Sequence, residues 1–354
     1  MRVALVHDDL VQWGGAERVL LAISEAFPDA PIFTSVYDYK NPLLKKFFHQ
    51  KKIITSFIQK FPGWGMFYKQ LLPLYPLAFE SFDFSDFDLV ISQTTRSAKA
   101  IITKPETKHI CYCHTPPRYL WKYSGFKIPK VFQPYMSYSR VFDRISAARV
   151  DYWLAGSENA KSRIMDVYKA DSEVLPPFVD LDKFQGVKPF NGGYYLVISR
   201  LNSYKRVDLA VNTADALQIP FKIVGSGPQE ETLRKIAGPT VDFVGSVDEN
   251  TLIWLLAGCK ALVVAGEEDF GLTPLEAQAL GKPVVAYGAG GALETVIDGE
   301  TGVLFNDQTV EALSQALIRL DKQGYNEIKC LSQAQKFSKA YFMDRLQTYI
   351  NSLD

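Results

Sequence analysis

Glu268 and Glu276 are separated by seven residues and flank a turn and the start of a helical pattern. The apolar run from Ala261 to Ala265 is short enough for a buried strand, and the acidic turn Glu267-Glu268-Asp269 and then Phe270-Gly271 follow it. Leu275, Ala279 and Leu280 fall at helical spacing, Gly281 stops the pattern, and Pro283 to Ala286 opens another strand. The backbone N–H groups of Gly271, Leu272 and Thr273 would then be unpaired at a helix start, where oxygens of phosphate or sugar are favoured. Glu276 can accept two hydroxyl hydrogen bonds at once, and Glu268 sits in the loop. A second group is cationic. Arg200 offers a planar fork and Lys205 a point charge, both just after the apolar run Tyr194 to Ile198. Together these types suit an anion and a polyhydroxylated ligand. Each also has a plain structural explanation: acids favour helix starts, and surface cations are solvated.

The surrounding elements form a rhythm of strands and helices. Arg2 to His7 reads as a buried strand; Gly14-Gly15 follows it, and Glu17 to Phe27 reads as a helix. A glycine turn at a strand–helix junction lets backbone approach a ligand, although turn geometry alone also explains it. Lys108 to Cys113 reads as a strand ending at His114, because Thr115-Pro116-Pro117 cannot continue it regularly. Ligands of open α/β sheets gather at such carboxyl ends; a lone histidine is otherwise a structural residue. Residues 41–79 read as basic, aromatic and irregular. The Pro- and Gly-rich stretch from Pro176 to Gly193 separates two series of strand–helix repeats. In the second series Gly225-Ser226-Gly227-Pro228 forms a turn after Phe221 to Val224. The pattern predicts an α/β protein with two Rossmann-like domains of parallel sheet. The expected limits are 1–180, 190–337 and a terminal segment 338–354.

At 354 residues the chain is long enough for two cores. Acidic and basic residues balance at 39 each, which gives no global case for nucleic acid as a partner. The balance is uneven: residues 1–185 hold 24 basic and 19 acidic side chains. No acid occurs between Asp38 and Glu80, a span with seven lysines interleaved with aromatic side chains. No apolar run reaches a membrane span, and the amino terminus does not resemble a secretion signal. Four cysteines form no disulfide framework, and Cys111 and Cys113 at alternate positions read as apolar strand residues rather than a metal site. Reduced thiols in the cytosol are the expectation.

The stretch around Glu268 and Glu276 resembles the Glu–seven residues–Glu motif of the retaining family 4 glycosyltransferases, which have the GT-B fold. It agrees in Phe270-Gly271-Leu272, in Leu275-Glu276-Ala277, and in Gly281 through Val285. The resemblance implies two domains facing a cleft, with a last helix from about Ser338 crossing back to the first domain. It implies that Arg200 and Lys205 bind the leaving diphosphate without a metal or other cofactor. It implies that Glu276 binds ribose, that Glu268 and the Phe270-Gly271 turn meet the donor sugar, and that Gly225 flanks the nucleotide. In the first domain it places Gly15, beside Gly14, near the β-phosphate, and His114 by the donor sugar. His114-Thr115-Pro116-Pro117-Arg118-Tyr119-Leu120-Trp121 looks like a string of bacterial polysaccharide mannosyltransferases. A hexose donor follows, GDP-mannose first and UDP-glucose next, with a saccharide or lipid-linked saccharide as acceptor. A GT-B-like nucleotide-sugar epimerase and a non-catalytic nucleotide-sugar-binding regulator remain open as alternatives. Residues 39–79 could meet an anionic membrane surface, which would make a cytoplasmic protein peripheral at the inner membrane face. Aromatics in the core with solvated lysines over them explain the same composition.

Overall fold

The computed structural model describes residues 1–68, 70–121 and 129–353. The chain divides into two compact units: residues 1–177 with 343–354, and residues 178–342.

Unit 1 holds a parallel sheet of β1 Val3–His7, β2 Ile32–Thr34, β3 Ile53–Thr55, β4 Leu89–Thr94, β5 Lys108–Cys113, β6 Tyr152–Ala155 and β7 Glu173–Val174. Their order is β3-β2-β1-β4-β5-β6-β7. Parallel strands need helices over both faces, so they read as near-continuous apolar runs; every residue of β1 and β4 is buried. Unit 2 holds β8 Tyr194–Ile198, β9 Phe221–Val224, β10 Val241–Gly245, β11 Cys259–Val264, β12 Val284–Tyr287 and β13 Gly302–Phe305. Their order is β10-β9-β8-β11-β12-β13, again all parallel. Tyr195 and Val197 pack in one apolar layer and Tyr194 and Leu196 in the other, the period-two alternation of a sheet covered on both sides.

In both units the chain builds outward from one central strand, then crosses to its other side. The reversal falls between β1 and β4 in unit 1 and between β8 and β11 in unit 2. Loops leaving the carboxyl ends of such a strand pair diverge and leave a crevice. Gly14 and Gly15 follow β1, Arg200 and Lys205 follow β8, and Glu268 follows β11.

Residues 41–79 are more regular than their composition suggests. Asn41 caps a helix Pro42–Phe48, its side chain accepting from Leu43 and Leu44 N–H at 3.1 and 3.3 Å. Asn followed by Pro is a helix start, a signal that the aromatic content obscured. The β-branched run Ile53–Thr55 makes the edge strand β3. Phe48 is buried and Phe47 stacks on Trp13 with ring centroids 4.2 Å apart. Lys69, one of the six lysines of this span, lies outside the described residues.

Two buried carboxylates organise unit 1. Asp143 accepts from Lys99 Nζ at 2.6 Å, Trp121 Nε1 at 2.8 Å and the Tyr168 hydroxyl at 2.8 Å. Trp121, from the string after β5, is therefore anchored on the helix Gln133–Ala147, which carries Asp143. Asp8, just past β1, accepts the backbone N–H groups of Thr95, Arg96, Ser97 and Ala98 at 2.6 to 2.9 Å. Burial would raise the Asp8 carboxyl, but Arg96 and these N–H groups outweigh it and hold it below the ordinary carboxylate value. A group lowered in this way stabilises the fold above its unfolded pKa and loses that contribution as pH falls through the folded one. Asp8→Ala should therefore cost about 3 kcal/mol in urea denaturation at pH 7, because four partly or fully buried donors lose their buried acceptor. The gap from the native chain should narrow below the usual carboxylate range, and an undiminished gap at low pH would contradict a charged Asp8.

Candidate functional site

In unit 2 the loop after β8 carries the cations, and its shape depends on glycines facing it. Gly225 has φ +125°, and a Cβ there would lie 1.9 Å from the Ser199 carbonyl oxygen. A Cβ on Gly227 would lie 2.7 Å from backbone atoms of Leu201. The loop after β9 thus packs backbone on backbone against Ser199–Leu201, joined by Leu201 N–H to Ser226 O at 3.0 Å. The immediate need for Gly225 is this close approach. Gly266 does the same from β11: a Cβ there would meet Lys205 Cα at 2.6 Å. The only sign of this in the sequence is a glycine directly after a buried strand.

Lys205 and Glu268 come together. Lys205 Nζ lies 2.5 Å from both carboxylate oxygens of Glu268, and both side chains are largely buried, at 15% and 22% exposure. Lys205 also stands 5.2 Å from the Tyr204 ring centroid. Arg200, two residues past β8, is exposed. The helix Leu272–Gln278 starts at Gly271, whose φ of +94° and ψ of +80° suit glycine, and no side chain caps it. Thr273 and Glu276 are half-buried on this helix, while Leu272 packs against the apolar layer. Phe270 points into the core and meets Phe337 edge-on at 5.4 Å. Its backbone alone is left for a ligand. Beneath it, a Cβ on Gly291 would lie 2.1 Å from the Phe270 carbonyl oxygen, and Gly291 N–H donates to Glu268 O at 2.9 Å. Gly291 thus supports the acidic turn from the loop after β12, a part the sequence reading missed.

In unit 1 the carboxyl ends of β1, β4 and β5 gather a polar cluster. Gly14 is the extended residue before the helix Gly15–Ala26. A Cβ on Gly14 would come within 3.2 Å of Glu17 Oε2. Glu17 is buried beside His7, with Oε1 3.8 Å from His7 Nε2. Burial opposes a charge on His7, but Glu17 outweighs it and raises His7 above the ordinary histidine value; the same pairing holds Glu17 low against its own burial. Gln93, the penultimate residue of β4, contacts both Ala16 and His114, the latter half-buried at the end of β5. His7 Nδ1, Glu17 Oε2 and Gln93 Oε1 are buried with no hydrogen-bond partner among the described residues. His7, Glu17 and Gln93 were not singled out in the sequence because each ends or follows an apolar element, where one polar residue reads as a boundary. Asp9 is raised by burial despite Arg96 at 2.5 Å.

The other titratable groups nearby are structural. His109 is fully buried against Ser92 at 2.8 Å, and burial lowers it to about 4. Cys111 and Cys113 pack in an apolar cluster with Trp153 and Ile164, and burial pushes Cys111 up to about 12. All four cysteines are buried and unpaired. Among the described residues no group of three or more His, Cys, Asp or Glu could hold a metal ion. Past β1, β2 and β3 a groove of about 570 Å³ is lined by Val11, Asp38, Tyr39, Gln59, Trp64 and Tyr68. Gln59 is held there by Tyr37 N–H on Oε1 at 2.7 Å and by its own Nε2 on Tyr37 O at 3.2 Å.

Comparison with known proteins gives a consistent answer. Residues 179–339 match the model for glycosyl transferases group 1, and residues 13–183 match that for Glycosyltransferase Family 4. The alpha-1,3/1,6-mannosyltransferase ALG2 of Dictyostelium discoideum is 23% identical over 433 residues, covering 100% of this chain and 98% of that protein. Sucrose-phosphate synthase of Thermosynechococcus elongatus superposes with a TM-score of 0.77 at 18% identity, covering 100% of this chain and 99% of the other. Anabaena HepE, solved with UDP and glucose, superposes with a TM-score of 0.71 at 18% identity, covering 99% of this chain and 100% of the other. The two family models meet near residue 180 and between them span residues 13–339, so the chain belongs to the group 1, family 4 glycosyltransferases and is a transferase of GT-B type.

Proposed function

We propose that this glycosyltransferase moves a hexose from a nucleotide sugar to a saccharide or lipid-linked saccharide, with retention at the anomeric carbon and without a metal. The observation that carries this is the Lys205–Glu268 contact between the loops of β8 and β11, which sets a cation and a hydroxyl acceptor side by side at the sheet reversal. A diphosphate takes Lys205 and Arg200, whose charges stabilise the leaving group as negative charge develops. The sugar hydroxyls take Glu268, and Glu276 takes the ribose. Gly271, Leu272 and Thr273 contribute backbone N–H. Following the family resemblance, His114 meets the donor sugar, and Gly14 and Gly15 its phosphate side. Retention, with the leaving phosphate oxygen taking the acceptor's proton, also follows from the resemblance. GDP-mannose is the first donor, favoured by the match to a mannosyltransferase, and UDP-glucose the second, favoured by HepE and its UDP and glucose. The groove lined by Tyr39, Trp64 and Tyr68 suits the acceptor, since a pyranose stacks on aromatic rings and hydrogen-bonds to Asp38 and Gln59.

Thermal shift with GDP-mannose and UDP-glucose tests the donor, because a ligand at about 100 times its Kd stabilises by about 2.7 kcal/mol. NMR of the transferred linkage tests the outcome; an inverted anomeric centre would exclude the retaining reaction. Turnover undiminished by a chelator is expected.

Arg200→Ala and Lys205→Met should each lower kcat by on the order of a hundredfold, the range for losing a donor to developing charge. Glu276→Ala should raise KM as much as it lowers kcat, because ribose contacts persist from ground state to transition state. Steady-state kinetics with donor varied checks both, and native turnover in any of the three variants would remove that residue from the site.

Among the described residues no helix is long and apolar enough to cross a membrane. A peripheral contact is carried by the segment after β3, where Phe57, Phe61, Met66 and Phe67 are exposed beside Lys60. Lys51 and Lys52 lie at the opposite, amino end of β3, and Lys51 donates to Ser24 O at 2.6 Å. Anionic vesicles should therefore sediment the protein in a salt-sensitive way. Phe61→Ser with Phe67→Ser should abolish this, and Lys51→Ser with Lys52→Ser should not. Equal retention of all forms on neutral vesicles would assign the segment to the acceptor groove alone.

A further inference from the structure

Gln93 joins three elements of the unit 1 cluster. It is the penultimate residue of β4, its Nε2 lies 2.7 Å from the Ala16 carbonyl oxygen, and the same atom lies 2.6 Å from His114 Nε2. A carbonyl oxygen can only accept, so Ala16 decides which end of the amide faces it: the nitrogen. An NH₂ group has two protons. One is used on Ala16, and the other points to His114. The ring nitrogen that receives it must offer a lone pair, because an N–H there would oppose another N–H at 2.6 Å. In a neutral imidazole the proton is then on Nδ1.

We infer that Gln93 is a positioning residue: it fixes the tautomer and orientation of His114, and ties that ring to the helix start just past the Gly14–Gly15 turn. The Tyr112 ring, its centroid 5.0 Å from that of the imidazole and inclined to it at 73°, backs the ring. The burial of Gln93 shields both hydrogen bonds from water, so neither is exchanged for solvent. Glutamine fits this place by reach and by chemistry. Asparagine is one methylene short of spanning both partners. Glutamate has the reach but presents no amide proton, so it would oppose the Ala16 carbonyl and draw a proton onto His114 Nε2. The significance for turnover rests on the role given above to His114; the tautomer itself does not.

The test reads the two separately. Long-range ¹H–¹⁵N correlation spectra of the uniformly labelled full chain report which nitrogen of each imidazole carries the proton. The chain has four histidines, and the His114→Gln spectrum identifies the missing one. In the native protein His114 should show a pyrrole-type Nδ1 and a pyridine-type Nε2. Gln93→Glu should place a proton on Nε2, and Gln93→Met, which keeps the volume and should keep the melting temperature closer to native, should give a mixture of tautomers. A native ring protonated at Nε2, or an unchanged pattern in both variants, would overturn the inference. Kinetics on the same variants should show kcat lower by about 10- to 100-fold, the scale for a misoriented group, with donor KM little changed. An altered tautomer with native turnover would uphold the hold of Gln93 on the ring and withdraw His114 from the site.

Discussion

Parallel strands deliver all of their outgoing loops to one edge of a sheet, and those loops must share it. In unit 2 they share it by stacking backbone on backbone. Gly225 sits against Ser199, Gly227 against Leu201, Gly266 against Lys205 and Gly291 against Phe270, each at a distance that leaves no room for a Cβ. The position of Lys205 is set from below by Gly266, and the turn that carries Glu268 is set by Gly291. The charged groups are precise because uncharged backbone beneath them is crowded. Unit 1 solves the same problem with a carboxylate. Asp8 gathers four successive N–H groups of the loop after β4 and makes a tight turn of a segment that has no glycine.

The two solutions leave different electrostatics. Unit 2 places Lys205 and Glu268 where part of each still meets solvent, so a ligand with both anionic and hydroxyl groups could exchange for their mutual contact at modest cost. Unit 1 buries His7, Glu17, Asp8 and Asp9 almost completely. There the interior decides the charge states. Glu17 raises His7, His7 lowers Glu17, and Asp9 is raised in spite of Arg96. A buried pair of this kind contributes orientation more than net stability, because desolvation offsets much of the attraction. The consequence for the glycine turn is rigidity: its neighbour Glu17 cannot leave without stranding His7.

What the sequence disclosed was local. The strand–turn–helix–strand from Ala261 to Ala286 could be read because its apolar run, acidic turn, Gly271 and Gly281 are contiguous, and the structure forms β11, the helix Leu272–Gln278 and β12 there. The parallel α/β architecture followed from alternation, which is also local. The edge strand β3 was hidden by lysines and aromatics around only three β-branched residues. The polar cluster of unit 1 was hidden for another reason. Gln93 and His114 are 21 positions apart, and Asp8 and Ser97 are 89 apart. No periodicity links them; only strand order brings them together. Trp121 illustrates both sides. The string around it was visible as a motif, but that its indole holds Asp143 on the helix Gln133–Ala147 could be learned only from packing.

The burial of all four cysteines has a practical consequence. Thiolate is the reactive form, and apolar surroundings keep Cys111, Cys259 and Cys330 protonated, each pushed to about 12. Burial raises Cys113 well above the ordinary thiol value too. The folded native chain should therefore resist thiol-directed dyes and spin labels. Cysteines introduced at exposed positions, one in each unit, could carry a probe pair without first stripping the native thiols. The separation of the two sheets could then be followed in solution as nucleotide sugar is added.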